Sequence, residues 1–378
     1  MTKIKIISAD SHVTEPADLW VNGLDKKYKH RAPKLVLDRS LDSKPALMFT
    51  VEGASSMPAA GGFAAGLSGE ELAEFMATGD YNDARPSGWD PAERLKDQDF
   101  DGISGEVLYP TLGMQVFQMP DAELQRACFH VYNNWLAEYC SYDPNRLYGI
   151  GLISLLDVAS AIKDVKEISK ANMRGLMVWS SPPIGENYGD SKYDLFWAIV
   201  NEIGLPVTLH PITGRGAKAV GVSEFGNKKF NHAVLSTNAF HEVQETIAEL
   251  IFTGVLEKYP DLKIVSAEAD VGWFPHFLYR MDHFCEKLGG MQNPKLSFKP
   301  SEYAKRQVWG TFQDDIVGVR NSHFFGEDNY MWASDFPHSD STFPNSVEYV
   351  RKNFEGLSEK IKAKITYTNA CKLYSIDI

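Results

Sequence analysis

Asp10-Ser11-His12 ends the first apolar run of the chain, IKIISADSH. In an extended strand residues i and i+2 share a face, so this spacing aims a carboxylate and an imidazole side by side past the strand end. Hard oxygen with borderline nitrogen is a ligand set that suits Zn²⁺, Mn²⁺ or Fe²⁺. Taken alone, an Asp and a His after a strand are equally ordinary capping and turn residues. Recurrence separates the two readings: His210 ends PVTLH, Glu268 ends KIVSAE and Asp335 ends YMWASD, each at or just past the C-terminal end of another apolar run. Two imidazoles and three carboxylates form a set able to hold one metal with open water positions, or two metals bridged by a carboxylate.

The elements that must position these residues alternate along the chain. Strand patterns fall at Ile4–Ala9, Gly105–Tyr109, Leu147–Ile153, Gly175–Trp179, Pro206–Leu209, Ile264–Ala267, Val308–Thr311 and Tyr330–Ala333. Helical periods lie between them at Asp121–Tyr142, Val158–Ala171, Leu195–Ile203, Thr237–Tyr259, Pro275–Leu288 and Pro344–Asn353. Eight strands in βα alternation predict a (β/α)₈ TIM barrel, whose strand ends converge on one mouth. A doubly wound nucleotide-binding sheet is disfavoured, because no GxGxxG follows the first strand and no Walker pattern occurs. Asp90-Pro91-Ala92-Glu93 reads as a helix start, with Asp as N-cap and Pro at the first helical position. Residues 13–89, which include the Gly/Ala-rich GASSMPAAGGFAAGLSG and a short helical pattern at Glu70–Thr78, then form one very long loop after the first strand. Loops after barrel strands lie on the active-site face, so this insertion is expected to act as a lid or cap within a single domain spanning residues 1–378. Thr213–Ser236, after the fifth strand, is a second candidate lid.

With 378 residues, 44% hydrophobic and 23% charged, the chain is long enough for a large core. The net charge of −12 comes without a basic tract, which speaks against a nucleic-acid surface and for a small organic substrate. Cys128, Cys140, Cys285 and Cys371 are far apart with no CxxC pair, so neither a zinc ribbon nor a disulfide framework is indicated. No apolar stretch approaches membrane-spanning length and no signal-peptide pattern opens the sequence. A cytoplasmic enzyme with no membrane or nucleic-acid partner, assembling as a homodimer or higher homo-oligomer, is the expectation.

From DSHVTEP through YPDLKIVSAEADVGWFP to ASDFPHSD the chain resembles the amidohydrolase superfamily. Within it, the likeness is to the amidohydrolase-related branch that includes aminocarboxymuconate semialdehyde decarboxylase-like and resorcylate decarboxylase-like enzymes. The resemblance implies a distorted TIM barrel with a divalent metal in its mouth. It puts the family's acid-x-His pair on Asp10 and His12, the fifth-strand histidine on His210 and the eighth-strand aspartate on Asp335. Two departures matter. Many members carry a histidine after strand six, where this chain has Glu268, which is able to ligate or bridge but not to act as a neutral imidazole base. The fourth strand, GLMVWSS, lacks the lysine whose carbamylated form bridges two metals in many hydrolytic relatives, so a bridge would fall to Glu268 or Asp10.

A metal here would activate water and polarise a carbonyl. Asp335 is the expected ligand and general base, and His241, in NAFHEVQ, the expected general acid or oxyanion partner. His338 is placed to orient ligands by hydrogen bonding. Trp179, Trp273, Phe312 and Phe336 follow strand ends and suggest a ring-containing substrate, with Arg215 and Lys218 available for a carboxylate. The expected cofactor is one or two divalent ions, zinc first, with iron or manganese as alternatives. The leading expectation is a hydrolase in which metal-bound hydroxide attacks an amide, ester or thioester carbonyl. The alternative is a metal-dependent non-oxidative decarboxylase or C–C lyase acting on an aromatic or unsaturated acid. A catalytically dead barrel is the third reading, opposed by five candidate ligands occurring together.

Overall fold

The computed structural model describes residues 5–38, 46–215, 237–292 and 294–377. Along the described chain run β1 (Ile7–His12), β2 (Lys34–Asp38), β3 (Ala46–Thr50), β4 (Met57–Pro58), β5 (Gly105–Tyr109), β6 (Leu147–Leu152), β7 (Gly175–Val178), β8 (Val207–Leu209), β9 (Ile264–Ser266), β10 (Val308–Phe312) and β11 (Tyr330–Trp332). β1 and β5 to β11 pair in sequence order, all parallel. Every residue of β1, β5, β6 and β7 is buried, as in a parallel sheet filled on one face and covered by helices on the other. This is the predicted eight-stranded barrel.

The seam between β11 and β1 closes through bonds made just past β11. Ser334 N donates to Ser8 Oγ (2.8 Å), Asp335 N to the Asp10 carbonyl (3.0 Å), and His12 N to the Phe336 carbonyl (2.7 Å). The seam therefore runs through the segments that carry Asp10, His12 and Asp335. β1 meets β5 with a register shift between Ser8 and Ser11, a bulge that bends a strand and re-aims its side chains. The hydroxyls of Ser8, Ser11 and Ser334 fill it at 2.8–3.2 Å from one another. The first strand accordingly begins and ends later than its apolar pattern predicts. Pairing continues to His12 although apolarity stops at Ala9, and Ile4 lies outside the described residues.

The helix Pro91–Asp101 starts as DPAE predicts, the Asp90 carboxylate accepting from Ala92 N (2.9 Å) and Glu93 N (3.4 Å). Its buried face is polar: Arg94, Gln98 and Asp101. Arg94 donates to both oxygens of Glu106 (2.6 and 3.0 Å) and to the carbonyls of His12 (2.8 Å) and Phe336 (3.4 Å). One guanidinium thus ties β5, β1 and the segment after β11 together. The predicted helix Thr237–Tyr259 is broken, with Phe240–Phe252 and Val255–Lys258 parted at Gly254, φ +83°, a backbone state that glycine adopts without Cβ strain.

Residues 13–89 are not a plain loop. β2, β3 and β4 form an antiparallel sheet, Gly69–Thr78 is a helix, and Trp20, Phe49 and Phe63 are buried. KLVLD and ALMFT pair only in this small sheet, and β2 lies largely at the surface, so no continuous buried apolar run marks it in the sequence. The insertion returns to the barrel where Ser339 N donates to the Gly61 carbonyl and Ala65 N to the Pro337 carbonyl, both at 3.0 Å. Of the second predicted lid, residues 216–236, Lys218 included, lie outside the described residues. No described helix is long and apolar enough to cross a membrane.

Candidate metal centre

Asp10, His12, His210, Glu268 and Asp335 come together around His12 at the C-terminal ends of the barrel strands. His12 Nε2 lies 3.5 Å from Asp10 Oδ1, 3.5 Å from Glu268 Oε2 and 3.3 Å from Asp335 Oδ1, and His210 Nε2 lies 3.1 Å from Glu268 Oε2. All five of these donor atoms are buried and lack a hydrogen-bond partner, as does Asp335 Oδ2. Leaving so many buried polar atoms unpaired costs about 1–3 kcal/mol each, unless a further group binds them. Ligand distances of ~2.0–2.2 Å place neighbouring ligands of one ion ~3–3.6 Å apart, the range of these four contacts; the donors fall into two overlapping groups that share His12, one with Glu268, Asp335 and His338 and one with Asp10 and His210, which suits one ion or a pair.

The atoms that do not face this centre are held from behind. His12 Nδ1 sits 2.7 Å from the Pro110 carbonyl and His210 Nδ1 3.1 Å from the Pro211 carbonyl. Each Nδ1 therefore carries a proton, and Nε2 is the ring nitrogen that faces the centre. Asp10 Oδ2 accepts from Thr311 Oγ1 (2.8 Å) and Glu268 N (2.9 Å), leaving Oδ1 free. Burial pushes the Asp10 carboxyl up to about 6. For His12 and His210 burial opposes the charged ring, but the carboxylates of Asp335 and Glu268 around His12, and of Glu268 beside His210, outweigh it and raise both. Burial also opposes the Glu268 carboxylate, yet His210 and His12 hold it well below the usual range. Donors of one charge are thus stable only in the company of the other, which is the electrostatic character of a cation site.

The loops that present these donors carry backbone strain. Glu268 (φ +43°), Asp270 (+51°), Asp335 (+59°) and the β-branched Ile212 (+74°) are all left-handed, a state costing non-glycine residues about 1–3 kcal/mol and concentrated at functional sites. Glu268 is the one donor with appreciable exposure, 27% at its side chain against 0–1% for the other four, so the centre opens on its side.

The other predicted residues divide. His338 is at the centre, its Nδ1 3.0 Å from Asp335 Oδ1 and its ring stacked on His12. Trp179 is buried, donating from Nε1 to the Phe117 carbonyl (3.2 Å), and Arg215 lies over its ring at 5.6 Å with Nη1 on the Met119 carbonyl. Burial lowers the Arg215 pKa, and no carboxylate pairs with it among the described residues. Phe312 does not face the mouth: its ring packs against Tyr330 and Phe354, because the alternating neighbour Thr311 takes the inward position. Phe336 packs under Arg94 and against Phe343, and Trp273 stacks on Phe274 while donating to the Ala269 carbonyl. His241 is exposed at its helix start, edge-on to Phe240, with no contact to the five donors among the described residues.

Sequence reasoning missed Thr311, Arg94, Glu15 and Thr111. Glu15 is buried and accepts from Leu112 N (2.9 Å) and Gly113 N (2.8 Å), fixing the loop after β5. Polar residues at helical spacing, Arg94, Gln98 and Asp101, were a signal available in the sequence, since charged groups on a helix's inward face must form a satisfied network.

The amidohydrolase family model matches residues 19–376. Among curated relatives, the gamma-resorcylate decarboxylase of Rhodococcus jostii is 25% identical over 272 residues, 65% of this chain and 75% of that protein. Among solved structures, an amidohydrolase from Mycobacterium avium subsp. paratuberculosis K-10 is 21% identical and superposes over 100% of both chains with a TM-score of 0.78. A 5-carboxyvanillate decarboxylase from Novosphingobium aromaticivorans, solved with manganese, is 20% identical over 75% of this chain and 79% of that one, with a TM-score of 0.63. The curated relatives are decarboxylases, which overturns hydrolysis as the leading expectation, and these structures lend zinc no support. Match and barrel agree: the chain belongs to the amidohydrolase family, in the branch of the aminocarboxymuconate semialdehyde decarboxylase-like enzymes, and is a metal-dependent member of it.

Proposed function

We propose that the protein is a metal-dependent, non-oxidative decarboxylase of a ring-hydroxylated aromatic or related unsaturated carboxylic acid. The likeness to gamma-resorcylate decarboxylase over three quarters of that protein's length carries the reaction class. Asp10, His12, His210, Glu268 and Asp335 are its proposed ligands, and manganese its first-choice ion. Three carboxylates make a hard donor set, and five donors exceed the four that zinc usually takes.

In the proposed reaction the bond between the ring carbon and its carboxylate breaks, the electron pair stays on the ring carbon, CO₂ leaves and a proton takes the vacated position. A bound divalent ion supplies a Lewis acid for the substrate's oxygens. Asp335 is the proposed proton carrier, because both its carboxylate oxygens are buried without a hydrogen-bond partner and His338 Nδ1 stands 3.0 Å from Oδ1. Trp179 and Arg215 offer a flat apolar wall with a cation above it, suited to a ring that bears an acidic group. Trp179 is buried and Arg215 partly so, which supports water exclusion around the ring.

The test is CO₂ release from 2,6-dihydroxybenzoate and 5-carboxyvanillate, the acids handled by structural neighbours, using manganese-loaded protein in D₂O. The expected result is CO₂ with one deuterium on the vacated carbon, lost in Asp335→Asn. Manganese-loaded protein that releases CO₂ from neither acid, nor from a panel of other hydroxybenzoates, overturns the proposal.

A further inference from the structure

The insertion reaches the metal centre beside His338. The ring of His338 stacks on His12 with centroids 3.9 Å apart, Nδ1 stands 3.0 Å from Asp335 Oδ1, and Nε2 meets the Thr111 hydroxyl at 3.0 Å. The residues on either side of it are both tied to the insertion, Pro337 through Ala65 N and Ser339 through the Gly61 carbonyl, each at 3.0 Å. Between those two ties lies Gly62. A Cβ at Gly62 would stand 2.3 Å from Thr111 Cγ2, so only glycine leaves room for the Thr111 rotamer that places its hydroxyl on His338. The segment is moored in turn, with Gly62 N on the Ala59 carbonyl and Ala59 N on the Leu47 carbonyl of β3, both at 3.0 Å.

We propose that Gly61–Ala65 is a positioning strap for the metal centre: the insertion holds His338 from both flanks and, through the space at Gly62, sets the Thr111 hydroxyl on Nε2, so that Nδ1 keeps Asp335 in ligand geometry. His338 and Thr111 are positioning residues, and the insertion contributes to metal affinity through Gly61–Ala65. The inference rests on the five-donor centre binding a divalent ion. The physical link is the Thr111 side chain, whose methyl and hydroxyl share one Cβ. A χ1 rotation that moves the methyl away from a new Cβ at position 62 carries the hydroxyl off His338.

The experiment is Mn²⁺ titration of the full-length, EDTA-stripped protein by calorimetry, with thermal unfolding of each stripped variant as the check on folding. Loss of a group that orients a metal ligand typically weakens metal binding about 10–100-fold, and His338→Ala is expected in that range. Gly62→Ala and Thr111→Val, which displace and delete the same hydroxyl, are expected to weaken binding in parallel. Gly62→Ala/Thr111→Ser removes the clashing methyl while keeping the hydroxyl, and is expected to regain most of the affinity lost in Gly62→Ala. A purely structural strap would lower the unfolding temperature without this pattern of loss and rescue. His338→Ala with wild-type Mn²⁺ affinity overturns the inference, and so does Gly62→Ala that Thr111→Ser fails to rescue. Wild-type protein that takes up no Mn²⁺ strikes the metal-centre reading itself, whereas normal wild-type uptake beside unaltered variants strikes the strap alone.

Discussion

Replacing Arg94 by Met tests whether the site rests on a buried charge network. Arg94 and Glu106 are 0% and 3% exposed. The substitution leaves the Glu106 carboxylate buried with one remaining donor described, Gln98 Nε2 at 2.7 Å, and takes a donor from the carbonyls of His12 and Phe336. Breaking a buried ion pair from one side costs about 3–5 kcal/mol. Unfolding entropy of about 2.1 cal/mol/K per residue amounts to roughly 0.8 kcal/mol/K for this chain, so a loss of about 4 kcal/mol lowers Tm by about 5 °C. Urea and thermal unfolding of the metal-free protein measure it. The double variant Arg94→Met/Glu106→Gln removes the stranded charge, and the new amide is able to meet Gln98 Oε1, which has no partner. It is expected to recover at least half of the loss. Arg94→Met within about 1 kcal/mol of wild type, or a double variant less stable than the single, would refute the reasoning. Because the lost bonds lead to His12 and Phe336, Mn²⁺ affinity is expected to fall with stability in the single variant.

Three further outcomes are expected. Asp10→Ala, His12→Ala and Asp335→Ala each strip the metal, read as Mn²⁺ per chain by elemental mass spectrometry, while far-UV circular dichroism is retained because barrel cores do not depend on mouth ligands; unchanged metal content in all three would remove the assigned centre. Mn²⁺ added to stripped protein at about one hundred times its Kd stabilises by about 2.7 kcal/mol and raises Tm by about 3 °C, and a Tm indifferent to Mn²⁺ would contradict binding to the folded state. Burial pushes the Glu15 carboxyl from 4.5 up to about 7 despite the amides of Leu112 and Gly113, so the folded state favours its proton. The stability this gives is present below pH 4.5 and is lost as pH rises through about 7, by up to about 3 kcal/mol at ~1.36 kcal/mol per tenfold change. Urea unfolding of metal-free wild type and Glu15→Gln across pH 4.5–8 is expected to give a falling difference between them, and parallel curves would exclude Glu15 as the source.

Much of the barrel is legible in the chain because strand and helix periods are local. Gly105–Tyr109 forms as its pattern predicts, and Pro91–Asp101 starts at its Asp-Pro signal. The five donors are legible for a related reason: each is a polar residue that interrupts an apolar run at a strand end. What failed needed knowledge of the opposite wall. Phe312 and Thr311 are neighbours, and only the closed barrel decides that Thr311 faces Asp10 while Phe312 packs on Phe354. His241 has a catalytic residue type in a plausible place, and the fold leaves it exposed. The first strand of the insertion lies largely at the surface, so burial imposes no apolar run on it.

The sequence by itself determines the parallel barrel, the types of the five donors and the strand end from which each departs, since these follow from residue chemistry and spacing along one segment. The tertiary structure alone decides that each of the five donors lies within 3.1–3.5 Å of another, that Arg94 ties the seam beneath them, and that Gly61–Ala65 grips the residues flanking His338. Those contacts join positions up to some three hundred residues apart. Their distances are set by barrel closure and by a bulge in β1, and nothing in the local order of residues encodes either.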